Sequence, residues 1–539
     1  MTRETDFDVV VVGYGPTGEL LSILLGQLGY RVGVFERWDS IYNLPRAVHF
    51  DDEVGRIFQS AGVRDEILAI TDPVPDFYEW RNRHGDALLK IDWARPGVQG
   101  WPTANFFTQP ELQAVLDRRV REIPSVTVHT GWQVNGVEER GDTIVAQAHV
   151  RDGSGDGAES GSRHEVTARY LVGADGANSS IRQLIGSEFH DLGFVPFDWL
   201  ILDVIPHDQE RVWSPMNWQL CDPARPTTVV SGGPGRRRWE VMRLPDEPIE
   251  TLNTEETAWR LLEPWGMTPD TATLERHAVY RFMARYAEQW RRGRVLLAGD
   301  AAHLMPPFAG EGMCNGLRDA INLSWKLDLI LSGKASDGLL DSYQTERLDH
   351  VRQWINFSAA LGEVICVLDE EQATERDRRM LAGEADPMRV LPAAPPQRLG
   401  DGLFLQQAQA GVHFIQAPVE QYDEAGLFDE VVGVGFALIG VNEEALEPIT
   451  EAQRTGFSHV GGRIRYLSSD PDPGEESFRD PTGAYRAWLE ENDAVAVLVR
   501  PDFYVYGVAA QAGEVPTLVE SLLDDLELRS DGVADVVSL

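Results

Sequence analysis

The chain has 539 residues, 43% hydrophobic and 25% charged, which fits several globular units of roughly 150 residues and excludes a disordered or fibrous polypeptide. Its formal charge of −38 opposes binding to nucleic acid or anionic membranes, whose partners are basic. Three cysteines, Cys221, Cys314 and Cys366, supply neither a CxxC pair, nor a disulfide framework, nor a zinc cluster, and no metal site is expected.

No apolar run approaches the roughly 18 residues of a membrane span. The opening MTRETDFDVVVVG lacks the basic segment, apolar stretch and cleavage site of a secretory signal, so a cytoplasmic protein is expected. Among 48 basic residues only Lys90, Lys326 and Lys334 are lysine. That bias fits a GC-rich, actinobacterial genome, because arginine codons are GC-rich.

The first predicted strand covers residues 7–12 and is Val-rich, as buried parallel strands are. Gly13, Gly15 and Gly18 follow directly in the spacing G-x-G-x-x-G. A helical stretch over 19–29 and a second strand over 31–36 complete the unit. In such a crossover the first glycine makes the tight turn, the second admits a pyrophosphate, and the third lets helix pack on strand. Glu36, 18 residues past Gly18, ends the second strand, where a carboxylate accepts ribose hydroxyls. Strand, glycines, helix, strand and acid in order point to a dinucleotide site, leaving NAD and FAD both open.

Next along the chain, a strand ends in Asp175-Gly176 and turns through Ser179 and Arg182 into a helix. A third strand, from Arg294, ends in Gly299-Asp300-Ala-Ala-His303. It continues through Pro306-Pro307 and Gly310-Glu311-Gly312 into a helix expected over 315–331. Asp300 at a strand's end suits a ribitol or ribose hydroxyl. Backbone N–H groups at Gly310 and Gly312, beside a helix start, suit the pyrimidine edge of a flavin.

These three motifs, in this order, resemble the class A flavoprotein aromatic hydroxylases typified by p-hydroxybenzoate hydroxylase. The segments Arg46-Ala-Val-His49-Phe-Asp51-Asp52-Glu53 and Gly316-Leu-Arg318-Asp319 are most similar to 3-(3-hydroxyphenyl)propionate hydroxylases. The resemblance implies an α/β fold: a Rossmann-like FAD-binding domain, a β-sheet substrate domain and a thioredoxin-like C-terminal domain. It assigns FAD contacts to Gly13, Gly15, Gly18, Glu36, Arg46, Gln109, Asp175, Gly176, Arg182, Gly299, Asp300, Pro306, Gly310, Gly312, Cys314 and Asn315. Two departures stand out. Glu311 replaces a residue that is usually Gln or another neutral one, and Cys314-Asn315 replaces Asn-Ser. Both bear on the expected flavin-ring contacts.

The FAD domain is expected to be discontinuous, with residues 1–185 as its first part and 281–374, including a long helix, as its second. Residues 186–280, with alternating Val- and Trp-rich stretches, predict the substrate sheet. Residues 375–402, with Pro392-Ala-Ala-Pro-Pro, predict a linker. Residues 403–539 predict the thioredoxin-like domain, closed by a helix over 517–528. Without a CxxC pair it has no dithiol chemistry, leaving packing and homo-oligomer contacts as its expected roles. The segment from Arg151 to Ser162 reads as a glycine-rich surface loop.

The implied reaction takes electrons from NADPH or NADH, captures O2 on the reduced flavin, and places an OH on a phenolic ring. His49 is the sequence candidate for the base that ionises the phenol. The Arg236-Arg237-Arg238 cluster is either a carboxylate or phosphate attractor or a solvated turn. His303 is expected to be structural. The substrate implied is a 3-(3-hydroxyphenyl)propanoate-type acid. The alternatives are a larger phenol or hydroxypyridine in natural-product biosynthesis, or a non-catalytic flavin-binding redox sensor.

Overall fold

The computed structural model describes residues 5–41, 46–151, 163–194, 197–383, 398–470 and 473–526. Most of the expected glycine-rich loop (152–162), the prolines of the expected linker and the end of the closing helix at Leu528 lie outside these residues. The chain divides into two compact units. The first comprises 1–96, 102–320 and 351–395, and the second 97–101, 321–350 and 396–539.

The first unit is built on an eight-stranded sheet. Strand Phe7–Val12 sits at its centre, parallel to Val32–Glu36 on one side and Arg163–Gly173 on the other. Val126–Thr130 and Val295–Leu297 extend the parallel set at either side. Val9, Val10 and Val11 are fully buried, as a central strand covered on both faces requires. The first helix is Pro16–Gln27, starting three residues earlier than expected because Pro16 fits a helix's first turn. It gives way to Gly29, which has φ +89°.

A second, seven-stranded sheet runs Ala272–Arg281, Asp198–Pro206, Arg237–Met242, Thr227–Ser231, Asn217–Leu220, Phe77–Arg81, Ala87–Asp92. Its last two strands come from within residues 1–185, beyond the range 186–280 expected to form it. One face carries Trp80, Trp199, Ile201, Val230 and Met242 against Phe106 and Phe308. The other carries Leu200, Leu202, Trp239 and Val241 against Leu252, Ala258 and Leu262. This alternation is the period of two that a doubly covered strand shows.

The second unit contains a five-stranded sheet in the order Ser477–Phe478, Arg463–Leu467, Ala437–Gly440, Ala496–Val499, Val505–Ala509. The first three strands are parallel and the last two antiparallel, with helices Glu451–His459, Ala484–Glu491 and Val515–Asp525 between and after them. That is a thioredoxin-like topology, as expected. The linker expectation needs correction at its start. Residues 375–381 belong to helix Glu370–Leu381, whose N-cap Asp369 accepts the Gln372 N–H at 2.9 Å.

Candidate functional site

At the C-terminal end of Phe7–Val12, Gly13 takes φ +106°, and a Cβ there would lie 2.6 Å from the Ala174 carbonyl carbon and 2.8 Å from Asp175 Cα. Only glycine fits. A Cβ on Gly18 would meet the Gly13 carbonyl, so this residue sets the close approach of helix and strand. At Gly15 nothing lies within 4 Å of the Cβ position. This open space adjoins the start of helix Pro16–Gln27, where N–H groups and the helix dipole attract phosphate. Glu36 closes the turn: its Oε2 accepts the Tyr14 N–H at 2.8 Å and its Oε1 the Trp38 N–H at 2.9 Å.

A cavity of about 700 Å³ opens from this point, within the range of ligand sites. Gly13, Gly15, Glu36, Arg46, His49, Gln109, Asp175, Gly176, Asp300, Gly310 and Gly312 line it. Asp300 lies deep enough for burial to raise its carboxyl, yet it is exposed to this space. Gln109 is fixed by the Ala47 N–H at 2.8 Å and donates to Gln113 at 3.1 Å. Asp175 uses its carboxylate on Ser179, Ser180 and the N–H of Ile181, so its side chain caps the helix Ser180–Leu184.

Six residues expected to contact the cofactor do not line the cavity: Gly18, Arg182, Gly299, Pro306, Cys314 and Asn315. Arg182 donates to Ala301 O and Ala177 O at 3.1 Å and covers the Phe189 ring at 3.7 Å, bracing the turn behind Asp300. Gly299, with φ +61°, donates its N–H to Asp319. Pro306 offers its carbonyl to Ser358 at 2.6 Å. Cys314 and Asn315 sit on the buried side of the helix Gly312–Leu331. The Cys314 sulfur is 3.7 Å from His49 O, and Asn315 donates to Glu311 O at 3.0 Å.

Glu311 also turns away from the cavity, which corrects the expectation that it bears on ring contacts. Arg318 bonds it at 2.8 Å and pairs with Asp51 and Glu53 as well. Three carboxylates thus face one guanidinium, all buried. Burial, helped by Asp51 and opposed by Arg318, pushes the Glu311 carboxyl up to about 8. Burial thus favours the protonated, uncharged form of the acid at a position where a neutral residue was expected.

His49 lines the cavity with its ring stacked on Trp93 at 4.9 Å, and Trp93 stacks on Tyr78 at 4.4 Å. Its Nδ1 lies 3.5 Å from Gly310 O, and its Nε2 is buried with no hydrogen-bond partner among the described residues. Burial lowers its pKa to about 4. The imidazole is therefore neutral at physiological pH and a weak proton acceptor.

Another wall comes from the seven-stranded sheet, with Ile201, Arg238, Glu240, Arg276 and Tyr280, and from Phe282 just past its strand Ala272–Arg281. The arginine cluster is no solvated turn. Arg236 pairs with Glu275 and Glu111, Arg237 lies 4.6 Å over Trp213, and buried Arg238 bonds Asp203 at 2.7 Å. Sequence reasoning singled out Arg238 only as part of the arginine cluster and missed Glu240 as a cavity residue. The available signal was the alternation of Arg238, Glu240 and Met242 along one strand. No helix among the described residues is long and apolar enough to cross a membrane.

These features fit FAD: open space at Gly15 before a helix, an acid at each of two strand ends, and a glycine turn at a second helix start. Residues 6–358 match the FAD binding domain family, and 411–525 the HcaD C-terminal domain family. A Rhodococcus jostii protein named probable NADH-specific resorcinol 4-hydroxylase is 38% identical over 519 residues, covering 96% of this chain and 94% of its own. A 3-(3-hydroxy-phenyl)propionate/3-hydroxycinnamic acid hydroxylase of Mycolicibacterium gilvum is 33% identical, with 98% and 94% covered. In fold, the flavin-dependent monooxygenase PieE, solved with FAD and substrate, aligns with TM-score 0.79 at 21% identity, covering 97% of this chain and 100% of that one.

Proposed function

We propose that this chain, which belongs to the FAD binding domain family and is an FAD-dependent, NAD(P)H-using aromatic hydroxylase, acts on a small phenol carrying a second substituent meta to its hydroxyl. The observation that carries this is full-length likeness to two relatives. Resorcinol and 3-(3-hydroxyphenyl)propionate, the substrates in their names, share that ring pattern. We further assign NADH as the preferred electron donor, after the first of these relatives, and the cytoplasm as the location.

In this reading Gly13, Gly15 and the start of helix Pro16–Gln27 hold the pyrophosphate of FAD, Glu36 its adenosine ribose, and Asp300 its ribitol. The N–H groups at Gly310 and Gly312 face the flavin ring. Bound FAD supplies electron storage and oxygen activation. The protein's own tasks are to hold the phenol ring in register, remove its proton and keep water out. Ile201, Tyr280, Phe282 and the His49 ring, backed by Trp93, supply flat walls. Arg238 and Arg276 supply positive charge for a phenolate or an acidic side arm. The C-terminal unit is assigned to packing and to contacts with a second copy.

The test is NADH oxidation by FAD-loaded protein with resorcinol or 3-(3-hydroxyphenyl)propanoate, with peroxide and product mass measured together. Stimulated oxidation, a singly oxygenated product and little peroxide are expected. Unstimulated oxidation that yields only peroxide with both compounds overturns the substrate class and redirects the search to larger phenols.

A further inference from the structure

We infer that Glu240 takes the proton from the substrate's phenol, while Arg238 faces the charge that remains on the ring oxygen. The inference rests on the phenolic substrate proposed above. Strand Arg237–Met242 turns Trp239 and Val241 to one core and Met242 to the other, so Glu240 lies on the Met242 face, where it lines the cavity. It is 8% exposed. Its carboxylate forms no hydrogen bond among the described residues, and its nearest charged neighbour is Arg238 Nη1 at 3.8 Å. A carboxylate so placed, enclosed but open to a ligand cavity, is unusual unless a ligand completes it.

The groups around it are few. Ile201 and Thr228 stand opposite in register on the two neighbouring strands. Thr228 is occupied, donating to Gln219 at 2.6 Å, and Gln219 donates to the Tyr78 hydroxyl. Further along the face, Asp203 faces Arg238 and Arg276 across the strands. Burial, opposed by Arg238 and reinforced by Asp203, brings the Glu240 carboxyl up to about 7, near the value a general base needs at neutral pH. Arg238 keeps a buried Nη2 with no hydrogen-bond partner among the described residues.

The step balances simply. The phenol O–H bond breaks as an O–H bond forms on Glu240, and the negative charge passes from the carboxylate to the ring oxygen beside Arg238. Arg238 keeps its Asp203 partner throughout and faces one further anion before the transfer and one after, so no net charge is created in the site. His49 is worse suited: its ring is held between Trp93 and the Gly310 carbonyl, and it is the weaker base.

The test follows the ionisation of bound resorcinol by its ultraviolet difference spectrum, across pH, in FAD-loaded wild-type and Glu240→Gln proteins. Wild-type protein is expected to bind resorcinol as phenolate at a pH below that at which free resorcinol ionises. In Glu240→Gln the ionisation should return to the free value, with hydroxylation at neutral pH falling about 10²- to 10⁴-fold. Glu240→Asp keeps a carboxylate and should titrate between the two, and it carries the test if Glu240→Gln loses its FAD absorbance. A variant profile identical to wild type overturns the role of Glu240. Wild-type protein that neither ionises nor hydroxylates resorcinol or the propanoate overturns the substrate reading instead.

Discussion

His303 Nε2 lies 2.7 Å from Asp319 Oδ2, and the same oxygen accepts the Gly299 N–H at 2.9 Å. One buried carboxylate on the helix Gly312–Leu331 therefore ties both ends of the turn that presents Asp300. Asp319→Ala removes this tie and leaves two buried polar groups facing a gap. Loss of a charge-assisted bond of about 1.5–3 kcal/mol corresponds to roughly ten- to hundredfold weaker FAD binding. Titration of the apoprotein with FAD, followed by fluorescence quenching, measures it.

The two glycines at the first turn should fail differently. Gly13→Ala forces a Cβ into the backbone at Ala174 and Asp175 with a left-handed φ, so low soluble yield and a depressed melting temperature are expected. Gly15→Ala meets no atom of the described residues within 4 Å and has extended backbone angles that alanine adopts. It should fold with near-wild-type stability and bind FAD poorly. Circular dichroism melts beside flavin content separate the outcomes.

Glu311 gives a pH prediction whose sign is fixed. Its folded carboxyl sits at about 8, above the ordinary 4.5, so the folded state holds a proton that the unfolded chain releases. This contribution to stability is complete below about 4.5 and is lost as pH rises toward 8. Glu311→Gln removes that slope. The melting temperature of the variant should exceed that of wild type increasingly from pH 6 to 8, and the gap should level off above.

How much of this was legible in the chain depends on range. Gly13, Gly15, Gly18, Glu36 and the Gly299-Asp300 turn were readable because each works within one strand–turn–helix unit, where spacing is geometry. The hairpin Phe77–Asp92 was not assigned to the second sheet, because its partner strand Asn217–Leu220 lies far along the chain. Arg318 illustrates the limit for side chains. Its motif was visible, but its three carboxylates come from Asp51, Glu53 and Glu311, and only folding brings them together. At Cys314 and Asn315 the family resemblance implied contact with the cofactor, but neither residue lines the cavity. The helix period instead carries both side chains to the buried face.

In the second unit, Glu346 accepts from Lys326 at 2.8 Å, Asn322 at 2.9 Å and both terminal nitrogens of Arg500 at 2.8 and 2.9 Å, and Arg500 also pairs with Asp502. Lys326, Glu346 and Arg500 are within 1% of complete burial. Burial disfavours the Glu346 carboxylate, but Arg500 and Lys326 hold it well below its ordinary value. Removing one member of such a cluster strands the others. Glu346→Ala should cost about 3–5 kcal/mol, read as a fall in the urea midpoint with an unchanged slope.

The buried sulfurs set which parts of the molecule tolerate the peroxide that any uncoupled cycle releases. Burial pushes the Cys221 thiol up to about 12 and raises the thiols of Cys314 and Cys366 well above the ordinary range. Peroxide attacks the thiolate, so all three stay chemically quiet. Met283, Met305 and Met313 have no such protection, because thioether oxidation needs no ionisation and all three line the cavity. Turnover without a phenol should therefore add oxygen first at these three methionines, as peptide mass spectrometry would show. An enzyme idling without substrate would age from the inside of its own cavity, and a substrate that couples well would also act as its preservative.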